Sequence, residues 1–67
     1  MMAIFEAVYN FGIGYPVVNF EGNVNDVVKK AKEWGKYNGV KNLALYYGQS
    51  KKSVGHWKLK NGRWYRE

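Results

Sequence analysis

Residues 22–39 read GNVNDVVKKAKEWGKYNG, the one stretch of this 67-residue chain whose apolar spacing is helical. Val24, Val27, Val28, Ala31 and Trp34 recur at intervals of three and four, which lines them along one side of an α-helix. Asn23 is suited to cap the N-terminus. Asp26, three residues on, completes a capping pattern and sits where the positive end of the helix dipole favours an acid. Asn38-Gly39 supplies the stop, with Lys36 in the last turn. Gly35 costs about 1 kcal/mol against Ala inside a helix, so it implies either a helix end or a close approach by a neighbouring strand. Lys29, Lys32 and Lys36 are expected opposite the apolar stripe, as a solvated outer face.

The segments on both sides change to a period of two. Upstream, residues 2–11 (MAIFEAVYNF) place Ala3, Phe5, Ala7, Tyr9 and Phe11 on one face and Ile4, Glu6, Val8 and Asn10 on the other, an imperfect alternation that implies a strand with both faces partly covered. GIGYP (12–16) breaks it, and VVNFE (17–21) forms a second strand with Val18 and Phe20 inward, so the two make a hairpin. Downstream, NLALYY (42–47) forms a third strand with Leu43, Leu45 and Tyr47 on one side and Ala44 and Tyr46 on the other. VGHWKLK (54–60) and RWYRE (63–67) form the fourth and fifth. The expected order is ββαβββ in a single compact domain, 1–67. This is an α+β two-layer sandwich with one helix on one face of a mostly antiparallel sheet.

Asn61-Gly62 joins the last two strands, and this dipeptide is a strong hairpin signal because a type I′ turn needs positive φ at both central positions. A two-residue turn fixes the register: Lys60 opposite Arg63, Leu59 opposite Trp64, Lys58 opposite Tyr65, Trp57 opposite Arg66 and His56 opposite Glu67. One face then collects Trp57, Leu59, Trp64 and Arg66, apolar enough to meet the helix. The other collects His56, Lys58, Lys60, Arg63, Tyr65 and Glu67 and becomes the open side of the sheet.

Small size limits the core, since a chain of this length buries only about 60% of its unfolded surface. Disulfides are ruled out because there is no Cys, and a zinc site of N and S ligands is ruled out by a single His. Three Trp, six Tyr and three Phe offer bulk instead. A homodimer is a further way to bury surface. No basic-then-apolar leader and no apolar run of membrane-spanning length is visible, and Cys is absent, so a soluble cytoplasmic protein that does not enter a membrane is expected.

Eleven Lys and Arg against five Asp and Glu give a net charge of +6, a field that favours polyanions or acidic protein surfaces. The first functional expectation is a non-catalytic DNA- or RNA-binding protein without a cofactor. Its site would consist of Lys51 and Lys52 in the loop GQSKKS together with His56, Lys58, Lys60, Arg63 and Tyr65. Cations interleaved with aromatic rings are how sequence-tolerant single-strand binders work, and Tyr46 is a further ring on that side. A second expectation is a small accessory or inhibitor protein, phage- or plasmid-encoded, docking on an acidic surface of a larger protein or enzyme. A third is a small metal-free ribonuclease with His56 as acid or base and Lys58 or Arg63 steadying the phosphate. Other catalysis is disfavoured: the five acids are scattered, no Ser-His pairing is evident, and neither the fragment G-x-G nor the SKK loop has the spacing of a nucleotide-binding motif.

Overall fold

The computed structural model describes residues 3–10 and 16–67. Five strands and one helix follow in the order β1 (Ala3–Tyr9), β2 (Val17–Gly22), α1 (Val24–Tyr37), β3 (Asn42–Tyr47), β4 (Ser53–Lys60) and β5 (Arg63–Arg66). They form one sheet in the spatial order β2-β1-β3-β4-β5, with every neighbouring pair antiparallel. The α+β two-layer architecture with ββαβββ order expected from the sequence is the one observed. The first strand is shorter than expected. It ends at Tyr9, and Asn10 turns into positive φ. Phe11 and most of the GIGYP break lie outside the described residues.

β2 and β3 both pair with β1, so α1 carries the chain from one side of β1 to the other, across the face of the sheet. The helix begins as its sequence dictates. Asn23 Oδ1 accepts the Asp26 backbone N–H at 3.0 Å, and Asp26 Oδ2 accepts Asn23 Nδ2–H at 2.9 Å. At the far end Asn38 Nδ2 donates to the Trp34 carbonyl at 2.7 Å, and Gly39 takes φ +69°. The core lies between the layers, where Val27 and Ala31 of α1 meet Phe5, Ala7, Leu43, Leu45 and Trp57 of the sheet, all buried. Trp34 extends this core toward the β2 edge, meeting Tyr9 edge-on at 4.9 Å and Phe20 at 6.0 Å between ring centroids.

The two tryptophans of the closing hairpin are both on the helix side. Trp57 is buried over Gly55, with the Lys32 ammonium 5.1 Å and the Arg66 guanidinium 5.6 Å from its ring centroid. Lys32 is therefore half-buried over the core rather than opposite the apolar stripe, a departure from the expected outer lysine face. Its ammonium lies over the face of an indole, where the ring quadrupole attracts a cation. Trp64 Nε1–H donates to the Lys32 carbonyl oxygen at 3.0 Å. Its ring occupies the place a side chain would take at Gly35, where an added Cβ would stand 2.9 Å from Trp64 Cζ2. The mid-helix glycine is thus the clearance for a side chain of β5.

Gly35→Ala is expected to lower stability, although Ala improves helix propensity by about 1 kcal/mol, because the new methyl meets a ring held by a hydrogen bond. In a Trp64→Leu background, which lacks those ring atoms, the same change should be neutral or stabilising. Urea unfolding of the four-member mutant cycle reads the sign reversal.

Candidate nucleic-acid interface

Register decides which side chains share the open face. In the closing hairpin Trp57 pairs with Arg66, Lys58 with Tyr65, Leu59 with Trp64 and Lys60 with Arg63. The Glu67 N–H donates to the His56 carbonyl at 2.8 Å, extending the ladder by one pair. Asn61 and Gly62 have φ of +54° and +76°, as a type I′ turn demands. The register read from Asn-Gly is therefore the register observed. His56, Lys58, Lys60, Arg63 and Tyr65 stand together on the side away from the helix, and all five are exposed.

The open face is continued by β3. Asn42 lies opposite Lys58 and Ala44 opposite His56, and Tyr46 meets His56 edge-on with ring centroids 6.0 Å apart and planes at 72°. Tyr46 and His56 are diagonal neighbours across β3 and β4, and His56 and Tyr65 are diagonal neighbours across β4 and β5. Three rings thus cross the sheet obliquely. Lys58, Lys60 and Arg63 all lie to one side of that line, and Glu67 lies to the other. Among the described residues none of these three cations is in an ion pair.

The loop lysines are placed differently. Residues 48–52 join β3 to β4, so they lie at the end of β4 opposite the Asn-Gly turn, roughly 24 Å away for an eight-residue strand. Lys51 takes φ +62° and its ammonium sits 2.6 Å from Glu6 Oε1, an ion pair across the β1 side of the open face. Lys52 is exposed beside it. The structure gathers the hairpin residues into one cluster and leaves Lys51 and Lys52 as a second, with Lys51 already partnered. Glu6 was not foreseen as that partner. It shares the outward parity of β1, but only the β1–β3 pairing brings it to the loop.

Among the described residues, no three of His, Cys, Asp and Glu come together to hold a metal ion. A cleft of about 450 Å³ at the end of the sheet where β1 begins is lined by Ala3, Ile4, Glu21, Tyr47, Gly48, Gln49 and Ser50, with Glu21 its one carboxylate. No described helix is long and apolar enough to cross a membrane. Comparison of the chain with protein-family models, with curated proteins and with solved structures found no match.

Lys60 and Arg63 are like charges directly opposite each other, an arrangement that costs stability in a sheet. Lys60→Gln should therefore leave the fold intact and raise its stability by about 0.2–1 kcal/mol. The gain should shrink as salt screens the repulsion. Urea midpoints at low and high salt measure both effects.

Proposed function

We propose that this protein binds nucleic acid without catalysis, in the cytoplasm, through the open face of its sheet. One observation carries the reading: Lys58, Lys60 and Arg63 are held side by side on one exposed face, and among the described residues no acid pairs with them, although like charges placed opposite each other are expected to cost stability. A polyanion laid across the face relieves that repulsion, since phosphate oxygens take the place that neighbouring cations leave unbalanced. Lys52, at the other end of β4, is a further contact for a chain long enough to reach it. Lys51 contributes less because Glu6 already holds it.

A second reading, docking on an acidic surface of a larger protein, draws on a different feature of the same face. Ile4 and Val17, on β1 and β2, are 57% and 51% exposed. Paired strands place them on the open side beyond the basic cluster. Exposed apolar side chains on the same face as a basic cluster suit a protein partner better than a phosphate backbone.

Salt dependence separates the readings. Each phosphate contact adds about −0.7 to the log–log slope of affinity against salt for a single strand and about −0.9 for a duplex. Four contacts from Lys52, Lys58, Lys60 and Arg63 give a slope near −3 for a single strand and near −3.5 for a duplex. Lys58→Gln should flatten the slope by about one contact's worth. Binding curves of labelled oligonucleotides across a salt series give these values directly. Absence of oligonucleotide binding at low salt moves the assignment to the protein-docking reading.

A further inference from the structure

We infer that the ligand of this face is a single strand with its bases turned out, each base meeting one ring of the line Tyr46–His56–Tyr65 while the phosphates follow Lys58 and Arg63. The inference rests on the nucleic-acid reading above and narrows it to one class of substrate.

The spacing of the rings is the first argument. Tyr46 and His56 are 6.0 Å apart between centroids, and diagonal neighbours in a sheet are typically about 7–8 Å apart. Bases in a duplex rise by only about 3.4 Å per step along a strand and keep their faces against one another. Rings set this far apart, and tilted by 72° to each other, do not match a stacked helix. They match bases that have been separated, as single-stranded segments are when their bases lie on aromatic side chains.

Access is the second argument. Tyr65 is 51% exposed, His56 is exposed and Tyr46 is half-buried. A duplex shows this face only phosphates, sugars and base edges, so Tyr65 would have no base face to cover. An unpaired base does.

Charge placement is the third argument, because it orients the strand. Lys58 is directly opposite Tyr65 and two residues along β4 from His56, so a cation adjoins two of the three rings. Lys60 and Arg63 continue on that same side toward the turn. Glu67 flanks His56 and Tyr65 on the other side. The backbone is drawn to the lysine side and repelled from the glutamate side, which leaves the bases over the rings. Ring stacking of this kind tolerates any base, so no strong sequence preference is expected.

The test is fluorescence anisotropy with labelled oligo(U), oligo(dT) and a mixed-sequence duplex carrying the same number of phosphates. Wild type is compared with Tyr65→Ala, Tyr65→Phe and Lys58→Gln, and thermal melts verify that each variant folds. The expected result is binding of the single strands on the order of tenfold or more tighter than the duplex. Tyr65→Ala should lose about 5- to 150-fold in single-strand affinity with an unchanged salt slope. Tyr65→Phe, which keeps the ring, should bind like wild type. Preference for oligo(U) or for oligo(dT) supports the inference equally. Duplex binding as tight as single-strand binding, weakened by Lys58→Gln but untouched by Tyr65→Ala, overturns the inference while the nucleic-acid reading stands. Failure of all three oligonucleotides to bind at low salt overturns both.

Discussion

The hydrogen bond from the Trp64 indole N–H to the Lys32 carbonyl, made in the clearance left by Gly35, ties β5 to α1. Side chains alternate along a strand, so turning Trp64 inward turns Arg63 and Tyr65 outward. The two-residue turn then transmits that choice to β4, placing Lys58 and Lys60 outward and Trp57 inward. A slip of one residue would bury cations and expose two indoles. The burial of Trp57 under Lys32 and Arg66 adds to the same preference. The composition of the open face is therefore a consequence of how the other face is packed.

Much of this was legible in the sequence because it is local. The helix start at Asn23, its stop at Asn38-Gly39, and the hairpin register around Asn61-Gly62 are each specified within a few residues, and all are observed. The facing of Trp57 and Trp64 followed from that register plus the need to cover the helix. Long-range pairing was not legible. Nothing local says that β1 sits between β2 and β3, and that placement brings Glu6 to Lys51. Lys32 was expected in water because its spacing matches Lys29 and Lys36. The structure uses its ammonium, over Trp57, and its carbonyl, against the Trp64 indole N–H, on the core side, since a residue at the border of an apolar stripe can serve either environment. Gly35 signalled a close approach, but which side chain approached depended on β5 crossing to the helix.

The candidate site was legible in the same uneven way. His56, Lys58, Lys60, Arg63 and Tyr65 come from one hairpin, so their grouping follows from a single turn. Lys51 and Lys52 are near them in sequence but at the opposite end of β4, because the strand between them is extended. Tyr46 reaches the cluster from β3, where the ladder to β4 carries a register shift between Leu45 and Tyr46. That irregularity lies beside the ring that meets His56, and no sequence signal announces it.

The central claim is that the sheet has a working face because its other face is committed to the helix. Backbone amide shifts in NMR, followed as unlabelled oligo(dT) is added to the isotopically labelled protein, test this most directly. The account predicts shifts at Tyr46, His56, Lys58, Lys60, Arg63 and Tyr65, with Lys29 and Lys36 of the outer helix unmoved. Shifts concentrated on Lys29, Lys36 and their helical neighbours, with the hairpin unchanged, would contradict it.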